Sequence, residues 1–265
     1  MGDVALHHHH VLHLMLALTA LHLGECRPSR EGEYTATANV HYDKALTGVT
    51  SELSKISTDN CDALLLSAQL ICFVSWARGP QPGEFLAFGE HGRSEWLAMF
   101  NGVRTMLNSF ERSHFTKTHA PDIRSRNRPL ATVDEPLHHR KQLTDLREHV
   151  SYLTTDPLER EDNIHSISIL QECYSNRYGG EDSEYHVVFA WLYRMSDAFT
   201  ERLQQRDPIA LIIYAHFVVL MQEMEKFWYM RGWVSHIMSG IFHAIPTEHM
   251  SWIRWPMARV GWIAP

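Results

Sequence analysis

The sequence predicts an all-α fold, a single-domain helical bundle with one long surface loop, formed by residues 1–265. Three observations indicate this class. Apolar residues recur at three- and four-residue steps over most of the chain, which is the period of a helix with one buried face. No stretch alternates apolar and polar residues for long enough to indicate a strand. Glycine and proline separate the apolar stretches, as at residues 79–83, where they end helices.

The first half of the chain predicts four helices. Segment 11–23 is too short for a membrane span, which needs about 20 apolar residues, and it lacks the basic flank of a signal peptide, so we expect a core helix. Segment 34–56 has amphipathic spacing, whereas segment 63–76 is apolar on all sides, which indicates a central position. Ser94 is a good capping residue for the fourth helix. One face of that helix is apolar: Trp96, Phe100, Val103, Leu107 and Phe110.

Residues 111–142 differ from the rest of the chain. They contain three prolines, many charged residues and little apolar periodicity, which predicts a long surface loop. The basic residues of this stretch are typical of a solvated loop, although they also suit an acidic partner. Helices are expected to resume near residue 143, over 164–178, and from 183 towards 203.

The C-terminal segment carries the strongest pattern. Asp207 and Pro208 stand in the order of an N-cap and a first helical residue, and an apolar run follows at 209–220. The chain continues through a helix interrupted by Gly232 to a tryptophan- and proline-containing end at 252–262. We expect a buried helix here, surrounded by large side chains.

Composition excludes several classes of protein. The formal net charge is −7 and the isoelectric point is about 6.2, which argues against direct DNA binding because nucleic-acid surfaces are normally basic. The four cysteines are scattered, without a CxxC pair, which argues against a zinc ribbon and fits a reducing compartment, nuclear or cytoplasmic. The histidines at 7–10 do not share a helix face. The sequence therefore predicts no metal site, no cofactor and no membrane span.

No known catalytic motif is present: there is no GxSxG, HExxH, Walker loop or GxGxxG. His216 is the most informative histidine, because it lies within a strongly apolar helix and must find partners for its ring nitrogens. The favoured interpretation is a core histidine bonded to a carbonyl or a tyrosine. A ligand or proton-transfer role is the alternative, with Glu223 two turns further along the same face and Tyr214 nearby.

Methionine and aromatic residues cluster between 221 and 242. Such side chains fill irregular gaps and line adaptable apolar pockets, although most of them are ordinary core residues. Both interpretations stay open from the residues alone.

The order of five blocks resembles a known family: 12–23, the region around Tyr34 and His41, 63–66, 94–104 and the C-terminal segment from 207. Together they are similar to the C-terminal regulatory domain of fungal zinc binuclear cluster transcription factors, of the sterol uptake control type. The resemblance implies an all-α regulatory domain that encloses an apolar pocket for a sterol. Full-length members carry an N-terminal CxxCx6C zinc cluster. This sequence lacks that cluster, so we expect no direct DNA binding in the manner of the family.

We therefore predict a transcription-regulator-like protein that binds an apolar small molecule, a sterol or secondary metabolite, and regulates genes of a fungal metabolic pathway. Ligand occupancy would favour one packing of the C-terminal helices over another. The predicted pocket wall combines helix faces with family position: Phe100, Val103, Met106, Leu107, Phe217, Met221, Met224, Trp228, Met238 and Phe242.

Two alternatives remain. The first is a stand-alone enzyme of secondary metabolism, of the cyclase or isomerase type, with His216, Glu223 and Tyr214 as its acid and base groups. The second is a scaffold or dimerisation domain without a ligand. A protein partner or a homodimer also fits the sequence. Three explanations fit the missing zinc cluster: a fragment of a longer regulator, a truncated regulator-like protein that acts through a partner, or a helical pocket recruited as a stand-alone small-molecule binder or enzyme.

Overall fold

A computed structural model describes residues 7–90, 93–109, 137–177 and 184–265. Within these ranges the chain forms eleven α-helices and no strand, which confirms the all-α prediction. The helices are α1 (His9–Cys26), α2 (Glu31–Leu53), α3 (Cys61–Ala77), α4 (Glu95–Ser109), α5 (Leu137–Leu153), α6 (Pro157–Arg177), α7 (Glu184–Arg194), α8 (Asp197–Gln204), α9 (Pro208–Met221), α10 (Trp233–Ala244) and α11 (Arg254–Val260). Short 3₁₀ helices occupy Pro28–Arg30, Gln222–Lys226, Trp228–Met230 and Thr247–Ile253.

The chain divides into two compact units. The first unit consists of Met1–Gly79, Glu95–Ile123 and Phe227–Met230. The second unit consists of Pro80–Ser94, Arg124–Lys226 and Arg231–Pro265. A single regulatory domain over residues 1–265 stays a prediction.

In the first unit, α1 and α2 pack as a close antiparallel pair. His10 of α1 lies against Gly48 of α2, where an added Cβ would be 2.9 Å from the His10 Cβ. Near the middle of the pair, the Nδ1 atoms of His13 and His41 are 2.8 Å apart. The shared core is aliphatic apart from one tyrosine: Val11, Leu14, Ala17, Ala38, Tyr42, Ala45 and Val49. The predicted N-terminal core helix is therefore present, with small residues allowing the close approach.

Helix α3 is central to the first unit, as its apolar sequence predicts. Nearly every residue from Cys61 to Cys72 is buried, because α1, α2 and α4 all contact this helix. Trp76, near the end of α3, extends the core through two aromatic stacks. Trp76 stacks on Trp96 of α4 with ring centroids 5.5 Å apart, and on Tyr229 at 6.3 Å. Segment Phe227–Met230, although distant in sequence, thus completes the aromatic core of this unit.

Helix α9 is the core of the second unit. Asp207 accepts a hydrogen bond from the backbone N–H of Ala210 at 2.9 Å, and Pro208 occupies the first turn, as the sequence predicts. All residues from Ile209 to Met221 are buried. Among the described residues, only the stretch Pro208–Lys226 is long and apolar enough to cross a membrane, and 72% of it is buried inside the structure, which is typical of a core helix.

The predicted surface loop at 111–142 is wrong in its last part. Residues 111–136 lie outside the described residues, but α5 begins at Leu137. The inward face of α5 consists of His139, Leu143, Leu146 and Val150, all buried. The first of these buried positions is a histidine, and the positions between them are mostly polar or charged. The apolar periodicity of this part of the sequence is therefore weak.

The helix predicted from 183 towards 203 is interrupted. It forms two helices, α7 and α8, with Met195 and Ser196 between them. Ser196 has an extended backbone conformation, and its hydroxyl oxygen accepts a hydrogen bond from the Phe199 N–H at 2.9 Å. A serine N-cap inside an apolar sequence therefore starts a new helix.

Candidate functional site

The second unit contains a cleft of about 550 Å³, which we call the α5 cleft. One side is the outer face of α5, the other is the segment that leads into α11, and α9 contributes one residue at the bottom. The lining residues are Gln142, Asp145, Glu148, His149, Tyr152, His216, Ser251, Trp252 and Trp255. Its volume lies within the range of small-molecule sites, roughly 300–1,000 Å³.

Helical periodicity explains why α5 lines the cleft. Gln142, Asp145, His149 and Tyr152 follow one another at three- and four-residue steps, so they share one face of the helix. The neighbouring face, about 100° around the helix, carries the buried leucines and valine of the core. Packing of that apolar face therefore fixes the direction of the polar and aromatic side chains that line the cleft.

His216 is the buried histidine of the cleft. It is 2% exposed, its Nδ1 lies 2.9 Å from the Ile212 carbonyl oxygen, and its ring stacks on Trp255 with centroids 5.5 Å apart. Burial lowers the pKa of His216 to about 4, although the carbonyl of Ile212 opposes the shift. The ring is thus neutral at pH 7. Because a carbonyl can only accept, Nδ1 carries the proton and Nε2 is a hydrogen-bond acceptor.

His149 is a second neutral histidine in the cleft. Its ring stacks on Trp252 with centroids 3.3 Å apart and an interplanar angle of 17°. Burial, with a smaller contribution from His249, lowers the pKa of His149 to about 4. Its Nε2 atom is buried and has no hydrogen-bond partner among the described residues. The two histidines therefore bring uncharged rings to the cleft at neutral pH, and His216 offers its Nε2 as an acceptor.

The only formally charged residues that line the cleft are acidic. Asp145 is partly exposed and Glu148 is exposed, and neither lysine nor arginine is among the described lining residues. The α5 cleft thus combines two indole rings with carboxylate and imidazole acceptors.

The predicted pocket wall is distributed over both units. In the second unit, Phe217, Met221, Met224 and Met238 are buried, and Phe217 stacks on Trp191 at 4.3 Å. Phe242 is partly exposed. None of these five residues lines the α5 cleft.

The other five residues of the predicted wall belong to the first unit. Phe100 stacks on Trp96 at 5.1 Å, and the Trp228 ring lies 5.0 Å from that of His22. Helix α4 also carries three residues whose side chains lie outside the described part of the structure: Val103, Met106 and Leu107. A wall made of all ten residues stays a prediction.

The three acid and base candidates have separate surroundings. The Tyr214 hydroxyl donates to the Phe85 carbonyl at 3.2 Å, and burial raises the pKa of this tyrosine. His216 has its own carbonyl partner, as the favoured interpretation of the sequence expects. Glu223 lies after the end of α9, in the 3₁₀ helix Gln222–Lys226, so the α-helical period that relates it to His216 in sequence does not extend to it.

Sequence reasoning missed most of the cleft. His149 and Asp145 fall in a stretch whose polarity hides its helical period. Trp252 and Trp255 are visible as part of the C-terminal pattern, and their three-residue spacing is a signal for a shared face, but nothing in the sequence pairs them with particular histidines. Among the described residues, no three His, Cys, Asp or Glu side chains are grouped to hold a metal ion.

Comparison with known proteins identifies the class of this chain. A family model described as the fungal specific transcription factor domain matches residues 3–134. The chain belongs to this family, which indicates a transcription-regulator-like role. The match contains the first four blocks of the sequence resemblance but not the segment from 207. No curated protein and no solved structure matches the chain.

Proposed function

We propose that the chain is a regulatory domain whose activity in transcription is controlled by a small molecule with an apolar, flat body bound in the α5 cleft. The family match supports the role in transcription. The observation that carries the ligand proposal is the cleft itself, with two tryptophan rings along a volume of about 550 Å³. Genes of a fungal metabolic pathway are the proposed target, and the proposed location is the nucleus or the cytoplasm.

The cleft is suited to control because different elements form its sides. Trp252 lies in the 3₁₀ helix Thr247–Ile253 and Trp255 in α11, whereas His149 belongs to α5. A ligand between these elements would stabilise one arrangement of the C-terminal segment against α5 and α9. The response would then depend on the difference in affinity between the two arrangements.

A reporter assay tests this proposal. The chain, fused to a heterologous DNA-binding domain in yeast, should change reporter transcription severalfold relative to the DNA-binding domain alone. Trp252→Ala should change that output, because it removes one wall of the cleft. Leu158→Ala is the control, since Leu158 is 78% exposed and does not line the cleft.

Two results would count against the proposal. Reporter output equal to that of the DNA-binding domain alone would contradict a role in transcription. Equal output from Trp252→Ala and Leu158→Ala, with both proteins present at wild-type levels, would contradict control through the α5 cleft.

A further inference from the structure

We infer that the ligand of the α5 cleft carries a protonated amine next to its flat apolar body. This inference rests on the proposed function and specifies the chemical class of the ligand. It starts from the groups that line the cleft, which offer several hydrogen-bond acceptors, two indole rings and, among the described residues, neither lysine nor arginine.

The buried acceptor is His216. Its Nδ1 proton is directed to the Ile212 carbonyl, which leaves Nε2 with a free lone pair at the bottom of the cleft. His216 is buried from bulk solvent but lines the cleft, so Nε2 can accept a hydrogen bond from a group bound there. A ligand with an N–H donor can bond to this acceptor, whereas a ligand with only acceptors cannot.

The charge of the lining favours a cation. Asp145 and Glu148 are on the α5 side, and no ion pair with a described residue neutralises either of them. The neighbouring histidines are neutral at pH 7, so they do not repel a cation. A carboxylate ligand would instead face the two negative charges of Asp145 and Glu148 and the acceptor nitrogen of His216.

The tryptophans add a second preference for a cation. His149 stacks on Trp252 and His216 stacks on Trp255. The rings of His139 and Tyr174 also lie beside Trp255, and both tryptophans remain partly exposed. The exposed portion of an indole attracts an ammonium group through its ring quadrupole and also packs against a flat apolar body. Both parts of the proposed ligand therefore find matching surfaces.

Calorimetric titration with three related probes tests this inference. Tryptamine, tryptophol and indoleacetate share an indole body and differ in carrying an ammonium, a hydroxyl or a carboxylate group. Tryptamine should bind roughly tenfold more tightly than tryptophol, as cation–π and carboxylate contacts predict, and indoleacetate should bind most weakly. The preference for tryptamine should decrease at high salt, because Asp145 and Glu148 are accessible to ions.

Charge-neutralising variants complete the test. Asp145→Asn or Glu148→Gln should reduce tryptamine affinity towards that of tryptophol while leaving tryptophol binding unchanged. Glu161→Gln is the matched control, since Glu161 is an exposed acid of the second unit that does not line the cleft. The exposed position of Glu148 keeps that variant informative if Asp145→Asn does not fold.

Three outcomes would overturn the inference. Equal affinities for tryptamine and tryptophol would contradict the inference that the ligand carries an amine, while leaving the proposed small-molecule regulation intact. A preference for tryptamine that survives in both variants would place the amine elsewhere on the protein. No binding of any probe would exclude the α5 cleft as an amine site, and the reporter assay would still decide separately whether the chain acts in transcription.

Discussion

At the scale of single residues, the buried histidine of α9 connects folding to the cleft. His216 is held neutral by its apolar surroundings, and its Nδ1 proton is fixed by the Ile212 carbonyl. The hydroxyl of Tyr174 donates to the backbone oxygen of His216 at 2.7 Å. The backbone of His216 is therefore held by Tyr174 of α6. Its ring is held by Ile212 of its own helix and by Trp255 of α11.

We expect stability to fall in mild acid because of His216. The folded-state pKa is about 4, below the usual 6.5, so the unfolded chain takes up a proton first as the pH decreases. The free energy of unfolding is then unaffected by this group above pH 6.5 and falls between pH 6.5 and 4, by at most about 3 kcal/mol. Urea denaturation at pH 7 and pH 5 measures this effect together with that of His149, whose folded-state pKa is also about 4.

The variant His216→Phe isolates that contribution. It keeps an aromatic ring against Trp255 and removes the titrating group, so its free energy of unfolding should change less between pH 7 and pH 5 than that of the wild type. His165→Gln, at an exposed site on α6, should retain the wild-type dependence. Identical pH profiles for His216→Phe and the wild type would refute the assignment.

At the scale of elements, close contacts depend on particular small residues. In the second unit, Phe85 lies directly over Gly240 of α10, where a Cβ would overlap the phenylalanine ring. Phe85 also stacks on His236 with centroids 4.9 Å apart, and the His236 Nε2 atom lies 2.9 Å from the Glu84 carbonyl oxygen. The segment before α4 is thus held against α10 by the Phe85 ring and by the hydrogen bond between His236 and Glu84.

Replacing Gly240 should therefore be costly. Gly240→Ala forces the Phe85 ring to move and should lower the free energy of unfolding by about 1–3 kcal/mol. Gly102→Ala is the matched control, because Gly102 is a helical glycine with no atom within 4 Å of the added Cβ and should gain up to about 1 kcal/mol. Chemical denaturation compares them.

The double variant Gly240→Ala with Phe85→Leu tests the cause of the loss. A smaller side chain at 85 leaves room for the new methyl group, so the two substitutions together should destabilise less than the sum of their separate effects. Additive losses would show that the ring of Phe85 is not the obstacle.

Helices with clear start signals could be predicted from the sequence, and sites formed by several helices could not. The Asp207-Pro208 start and the all-round apolar character of α3 were sufficient to identify both core helices. Helix α5 was missed at its beginning because His139 occupies the first core position. The cleft was missed because stacking of His149 on Trp252 depends on the tertiary packing of α5 and the C-terminal segment, for which local spacing carries no information.

At the scale of the whole molecule, the net charge of the chain argues against direct DNA binding. The formal net charge of −7 repels the phosphate backbone of DNA, and direct binding normally requires clustered lysine and arginine. The basic residues between 111 and 142 are the main positive stretch of the sequence, and they are accompanied by acidic residues in the same stretch.

We expect the purified chain not to retard a short DNA duplex at near-physiological salt. Electrophoretic mobility measurements check this, with a basic DNA-binding domain as the positive control. A shift that disappears when the arginines between 124 and 128 are replaced by glutamine would contradict the expectation and identify that stretch as a DNA contact.

The return of Phe227–Met230 to the first unit has a practical consequence for dissecting the protein. A gene fragment cut at the boundary of the family match, after residue 134, would encode α1 to α4 without Tyr229. The indole of Trp76 and the ring of Phe73, which Tyr229 covers, would then face water. Such a fragment would be prone to aggregation. Fragments made for expression should therefore include Phe227–Met230.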